Sequence, residues 1–575
     1  MSTSLASLLV TYKAQRLELY DGKSLLESYT GTGGDLEANI KNFGIQPFFS
    51  HLLFGQKLLL ISNEVSICIQ HKSTYYHVLH HQAEEVRMDI IIPVFTPLHL
   101  APEESEATST LDDAHVGDSE PSTLSLDSAS ENSLSVARQD IKEKAKIFGA
   151  EFAAFFGTKD AYVAGAMAGG IASVELVEAM SKHGRLAFFG SGGLSNSDVE
   201  KALFRLASLR TPFGCNVLCN LHQPQEEERL IDLLLSNGVR IVSASAYSQL
   251  TPALVRYRLH GIFQDESGTV IVPNRIIAKL SHPTVASQFL APPSEKIIAY
   301  LLKNNAITSE EARLSSSILM ADSITVEADS GGHTDSRPLS VIFPSIKKMA
   351  QQVPHKVFVG AAGGIGTPQA MASAAVLGAD YLLIGSPHQS CLEAGTSDLV
   401  KAMLCKAKIT DMDMGIAPDM FERGAKVQVL TAGSLYAPRS RKLRELYLQY
   451  NSWDEIPESE RKKIESLLFR ASYEEIWDKT VRYWNEHDPH QIARSERIPK
   501  HKLALVFRWY LGQSSRWARL GVEDRKQDFQ IWCGPSMGAF NEWAEENGFS
   551  SPQSRNICAL SDALWEQFCS LLSLL

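Results

Sequence analysis

No apolar run in this sequence reaches the roughly 18 residues that a membrane-crossing helix needs, so no membrane span is expected. Basic residues are in the minority, with 55 Lys and Arg against 66 Asp and Glu and a formal net charge of -11. That balance argues against nucleic-acid binding, which needs a basic surface to neutralise phosphates. The first residues, MSTSLASLLVTYK, have no basic region before their apolar stretch and make a poor signal peptide. The eight cysteines show no paired spacing; Cys215 and Cys219 fall inside one apolar run. Free, buried thiols in a reducing cytoplasm are the expectation.

Two further patterns are absent. A dinucleotide fingerprint needs G-x-G-x-x-G, but Gly364-Ile-Gly366-Thr-Pro-Gln369 lacks the third glycine. Asp380 precedes the next strand and so cannot take the ribose role. A metal site is not expected either, because Asp329, His333 and Asp335 straddle a Gly-Gly loop with no second histidine nearby.

What is present is a repeating βα grammar in a chain of 575 residues, long enough for about three domains. Eight apolar, β-branched runs begin at Ala161, Leu186, Phe213, Arg240, Arg275, Ile324, Val357 and Tyr381. Each breaks into glycines and polar residues, and helical patterns lie between most of them. The fold class read from this is α/β: a TIM (β/α)8 barrel over 141–430, with a helical C-terminal domain and a small β-rich N-terminal domain. Residues 1–100 carry the β-rich pattern, with an Asp-Gly turn signal in LYDGKSLL. Residues 101–140 are acidic and Ser-rich and read as a flexible linker. Two long connections interrupt the barrel: a hairpin within 248–274, turning at DESGT, and a helical insertion at about 281–322. From 431 to 575 the sequence is helical and aromatic-rich, with apolar residues at i, i+3 and i+4 spacing.

The stretch from Ser323 to Gln389 organises the rest. The glycine loop Gly363-Gly364-Ile365-Gly366-Thr367-Pro368 and the later Gly385-Ser386-Pro387 each lead into a helix. Glycine lets backbone N–H groups approach an anion, and a helix N-terminus adds partial positive charge. Two such loops after consecutive strands match the phosphate loops after strands 7 and 8 of a TIM barrel. The remaining strand ends are glycine-heavy and carry one lysine, Lys279, and one histidine, His333. That pocket suits a flat, phosphate-bearing cofactor better than a metal. Lys279 sits in an apolar strand and either points at a ligand or is ion-paired; His333 is either a general acid or a plain loop histidine.

The motifs AYVAGAMAGGIASVELVEAM, PNRIIAKLS, EADSGGHTDSRP, GAAGGIGTP, ALVFRWYLGQSSRWA and IWCGPSMGAFNEW resemble the PfaD family. These are trans-acting enoyl reductases of polyketide and polyunsaturated fatty-acid synthases, within the wider nitronate monooxygenase and FabK-type flavoproteins. The resemblance covers about residues 145 to 545. It implies FMN as cofactor, NADPH as reductant and an enoyl thioester on an acyl carrier protein as substrate. Synthase subunits are then partners, and a homodimer is compatible. The cofactor-binding positions it implies are Gly165, Ala166, Met167, Asn216, Lys279, Gly331, Gly332, Gly363, Gly364, Gly385 and Ser386; the catalytic ones are His333 and Lys279. Leu383-Ile384 departs from many nitronate monooxygenases, which carry a glutamine there. A flavin oxygenase acting on a nitronate and a non-catalytic assembly subunit are the competing readings. The basic cluster Arg439, Arg441, Lys442 and Arg444 reads either as a carrier dock or as a solvated helix face.

Overall fold

The computed structural model describes five strands between residues 16 and 94 and residues 148–574 apart from 222 and 333. The expected linker at 101–140 lies outside the described residues. Strands β1 (Arg16–Asp21), β2 (Ser24–Thr30), β3 (Ser66–His71), β4 (Thr74–His77) and β5 (Ile92–Val94) form an antiparallel sheet in the order β2-β1-β3-β4-β5. The pair β1–β2 meets at Asp21↔Ser24, where the Asp-Gly signal stands.

The second unit is built on a closed barrel. Its strands are β6 (Tyr162–Ala164), β7 (Leu186–Phe189), β8 (Gly214–Leu218) and β9 (Ile241–Ser245). The short hairpin β10 (Phe263–Gln264) and β11 (Val270–Ile271) follows, then β12 (Arg275–Leu280), β13 (Ser323–Glu327), β14 (Phe358–Ala362) and β15 (Tyr381–Ile384). All eight barrel pairings are parallel, and β15 against β6 and β9 against β12 close the ring. Helices Pro283–Phe289, Glu295–Lys303 and Ser309–Leu314 make up the insertion before β13.

Strands covered on both faces read as continuous apolar runs, and side chains alternate between the two faces. Tyr162, Ala164, Cys215, Val217, Ala278, Val326, Leu382 and Ile384 join the helix layer outside. Val163, Phe188, Ile241, Ile277, Phe358, Tyr381 and Leu383 fill the inside. Phe152 and Phe156, on the helix Ala150–Phe156 just before β6, join that inner cluster, and Phe152 stacks on Tyr381 at 4.3 Å. Gly360 makes room for the Tyr381 ring, since a Cβ there would lie 2.2 Å from it. The buried Tyr381 hydroxyl is satisfied by Ser323 at 2.9 Å and Thr325 at 2.6 Å.

Beyond the barrel, β16 (Met412–Ile416) and β17 (Lys426–Leu430) form a hairpin, and five helices follow between Tyr436 and Leu520. Phe421, Val429, Tyr436, Leu443, Phe469, Phe507 and Tyr510 make one core between hairpin and helices. The aromatic residues Phe507 and Tyr510 are thus packing residues, each 0% exposed. The last two helices, Ser536–Glu546 and Ile557–Leu572, instead bury Phe540, Leu560, Leu564 and Phe568 in the barrel's outer core. The compositional change near 431 hides this return, because both cores are equally apolar.

The basic cluster is consumed inside the helical module. Arg439 pairs with the fully buried Asp528, Arg441 with Asp413 at 2.7 Å and Lys442 with Glu460 at 3.3 Å. Arg444 donates to the Glu422 carbonyl at 3.1 Å and lies over the Tyr447 ring. Each of these side chains meets a neighbour within the module, while Arg441 and Lys442 stay substantially exposed, so the cluster is an ion-paired and partly solvated helix face. Among the described residues, no helix is long and apolar enough to cross a membrane.

Arg185 anchors the final helix. It is 1% exposed, donates to Asp160 at 2.7 Å and to Ser561 at 2.6 Å, and lies 3.0 Å from Asp562. Removing one partner of a buried pair strands the other charge, which costs about 3–5 kcal/mol. We therefore expect Arg185→Leu to lower the urea unfolding midpoint sharply; an unchanged midpoint would show that the final helix is held by apolar packing alone.

Candidate active site

The site is read from the C-terminal ends of the barrel strands. Because alternate residues face inward, each strand presents one inward residue at its top. After β6 this is Gly165, buried, where a Cβ would come within 2.5 Å of Leu383 Cδ2. The half-buried Ala166 and Met167 continue the loop, and the Met167 carbonyl accepts from the Ala172 N–H at 3.1 Å. On β8 the inward residue is Asn216, 4% exposed. Its Oδ1 accepts from Ser245 at 2.9 Å and its carbonyl accepts from Ser191 at 2.7 Å. With Oδ1 committed, Nδ2 is the atom left to donate.

On β12 and β13 the inward top residues are Lys279 and Glu327. The Lys279 Nζ donates to Glu327 Oε2 at 2.7 Å, and both side chains are mostly buried, 17% and 12% exposed. Lys279 is therefore ion-paired, with its ammonium held among the residues of the strand tops. The pair stands at the barrel mouth, with Glu327 also accepting from Ser330 Oγ at 3.2 Å. Glu327 stands at a strand end in the sequence but was assigned no role. Its signal was parity: Ser323 and Thr325 face the interior, so Glu327 does too, one strand from Lys279.

The glycine loops follow β14 and β15, next to Glu327 around the rim. Gly363 and Gly364 both take left-handed backbone, with φ of 86° and 74°. A Cβ on Gly363 would strike the Ala328 carbonyl at 2.7 Å, whereas Cβ atoms on Gly364 and Gly385 would meet nothing within 4 Å. The N–H groups of Gly364, Ile365 and Gly366 meet no acceptor among the described residues. Thr367 caps the helix Pro368–Val376, its side chain accepting from the Ala370 N–H at 3.3 Å. Gly385 precedes the short helix Ser386–Gln389. This combination of free N–H groups, helix N-terminus and empty Cβ positions fits a phosphate.

The motif IWCGPS supplies a wall that sequence reasoning did not assign. Trp532 bridges to Val429 and so extends the hairpin of β16 and β17. Cys533 then rests on the loop after β13, where a Cβ on Gly331 would lie 3.0 Å from the Cys533 Cα. A Cβ on Gly332 would lie 3.0 Å from Glu327 Oε1, and one on Gly366 would lie 2.6 Å from the Ser536 carbonyl. Gln428 donates to Asp329 at 2.7 Å, while Asp335 accepts from Ser281 at 3.2 Å, so the two aspartates are held apart by different partners. No group of three metal-ligating side chains occurs among the described residues. His333 lies outside the described residues.

This geometry defines a (β/α)8-barrel protein whose rim carries glycine loops beside a lysine–glutamate ion pair. The model of the nitronate monooxygenase family matches residues 153–445. A second model, the inserted helical domain of [acyl-carrier-protein] S-malonyltransferase, matches residues 450–529, within the helical module. The crystal structure of the enoyl reductase domain of MlnA, from the macrolactin cluster of Bacillus amyloliquefaciens, is 37% identical with a TM-score of 0.70. The match covers 73% of this chain and 97% of that one. Polyketide biosynthesis protein PksE of Bacillus subtilis is 42% identical over 74% of this chain and 56% of its own length. One of the polyunsaturated fatty acid synthase subunits of Thraustochytrium sp. is 41% identical over 66% of this chain and 26% of its own length. The chain thus spans about half or less of the length of the curated relatives it matches. It belongs to the nitronate monooxygenase family, and within it to the PfaD-like branch that includes the MlnA enoyl reductase domain.

Burial pushes the Cys533 and Cys215 thiols up to about 12. Thiolate is the reactive form, so neither should react in the native state. We expect iodoacetamide at pH 8 to modify both only after urea is added, as read by peptide mass spectrometry. Native-state modification of Cys533 would mean that the wall opens. Folding raises both pKa values, so the stability they carry is complete below their ordinary value of 9.0 and is lost as pH climbs towards 12.

Proposed function

We propose that this chain is an FMN-dependent, NADPH-using enoyl reductase that acts in trans on α,β-unsaturated acyl thioesters carried by an acyl carrier protein. The observation that carries the reading is the similarity to the MlnA enoyl reductase domain over 97% of that domain's length. Relatives named for polyketide and polyunsaturated fatty-acid synthesis support synthase subunits as partners. The helical module, similar over 450–529 to an insert of an acyl-carrier-protein transferase, is the part assigned to the carrier.

In this reading Gly363, Gly364, Gly385 and Ser386 hold the FMN phosphate. The cradle fits, since a phosphate occupies space that Cβ atoms at Gly364 and Gly385 would otherwise enter. Gly165, Ala166 and Met167 line one side of the ring, Gly331 and Gly332 border the other, and Asn216 offers its Nδ2. The flavin, when bound and reduced, supplies the hydride for the β-carbon. Lys279 places positive charge where negative charge accumulates, and Glu327 holds the Lys279 ammonium in position. His333 polarises the thioester or delivers a proton to the α-carbon.

Purified protein should be yellow, and anaerobic NADPH should bleach it. Bleaching should be reversed by an enoyl thioester. Oxygen uptake with a nitroalkane anion, without enoyl reduction, would favour the oxygenase reading that the family's description suggests. His333→Ala should keep the colour and lose turnover on the order of a hundredfold; full turnover would remove His333 from the mechanism.

Gly385 tests the phosphate cradle, because a Cβ there would meet no protein atom within 4 Å. Gly385→Leu should preserve the circular dichroism spectrum yet purify colourless. A yellow variant with full flavin occupancy would place the phosphate elsewhere.

A further inference from the structure

The helix Pro499–Leu520 ends in SSRWARL, which sets Arg516 and Arg519 one turn apart on one face. Arg519 reaches across to the barrel. Its Nη1 donates to the Gly169 carbonyl at 2.7 Å, and a Cβ on Gly169 would lie 2.9 Å from its Nε. Gly169 belongs to the loop that leaves β6 through Gly165, Ala166 and Met167, so the guanidinium stands at the rim of the mouth.

The two charges are unbalanced. Arg516 is exposed, and neither arginine meets a carboxylate among the described residues. By contrast, Arg439 and Arg441, on the helix Tyr436–Gln449, each meet an aspartate. Like charges one turn apart repel. Burial, and then Arg516, push the Arg519 pKa down from its ordinary value. An anion between the two would remove that strain. The guanidinium fork matches the oxygens of a phosphate, and Arg519 spends only Nη1 on Gly169.

Both reactants of the proposed reaction carry such groups. The pantetheine arm of a carrier protein is attached through a phosphodiester, and NADPH carries a pyrophosphate and a 2′-phosphate. We infer that Arg516 and Arg519 form a phosphate-ester recognition site on the barrel rim, which positions one of these reactants over the mouth; the choice of reactants rests on the enoyl reductase reading. Arg519 also holds the Gly169 loop, so Arg516 is the residue to change.

Isothermal titration of the full chain at low salt, using 4′-phosphopantetheine, pantetheine and adenosine 2′,5′-bisphosphate, tests this. At least one phosphorylated probe should bind. Arg516→Gln should weaken that probe about tenfold and Arg516→Lys by less, since lysine keeps the charge but not the fork. Pantetheine should respond to neither change. A loss confined to 4′-phosphopantetheine assigns the carrier arm, and one confined to the bisphosphate assigns the nucleotide. The inference is overturned if neither phosphorylated probe binds, if both bind the variant as well as the parent, or if pantetheine weakens equally. Arg516-dependent binding without enoyl reduction would keep the site and discard the activity. Enoyl reduction with binding indifferent to Arg516 would do the reverse.

Discussion

Closing eight parallel strands into a ring turns every second residue towards a space that cannot hold eight large side chains. Much of this molecule follows from how that space is shared. Low in the ring, Tyr381, Phe358, Phe188 and Ile277 fill it, with Gly214 and Gly360 conceding volume to their neighbours. At the top the inward residues change in kind. Gly165, Gly190 and Gly385 take the inward positions on β6, β7 and β15, while Lys279 and Glu327 take those on β12 and β13. A Cβ at Gly165 would strike Leu383 and one at Gly190 the Met167 carbonyl, so glycine lets neighbouring groups close in there, whereas the space beside Gly385 is free.

The part of the chain after the barrel is organised around the same strand tops. The hairpin of β16 and β17 gains an extra extended segment at Trp532, and Cys533 and Ser536 come down onto the loops after β13 and β14. Glycine is required at Gly331 and Gly366 because backbone packs on backbone there. The final helix then returns to the barrel's outside, where Lys159, His183 and Arg185 converge on Asp562. The helical module is therefore held between two segments that belong to the barrel, which limits how far it can move from the mouth.

Much of this was legible beforehand. The eight strands appear within a few residues of their expected starts, because a strand covered on both faces must be apolar along its whole length. The hairpin at DESGT and the helical insertion before β13 followed from turn chemistry and helical periodicity. The contacts made by single charges were not legible. Arg439, Arg441, Lys442 and Arg444 look like a surface patch when their helix is read alone, yet their partners stand on the hairpin, on neighbouring helices and near residue 528. Lys279 was singled out, but its partner 48 residues later was not.

By itself the sequence determined the class of fold and the positions of its glycine loops, since both depend on local pattern: apolar runs, glycines and helix starts. Tertiary structure alone decided which charges are free and which are spent, and which distant motif walls the mouth. Those outcomes depend on distances between residues far apart in the chain. Local pattern carries no information about such distances until the ring has closed.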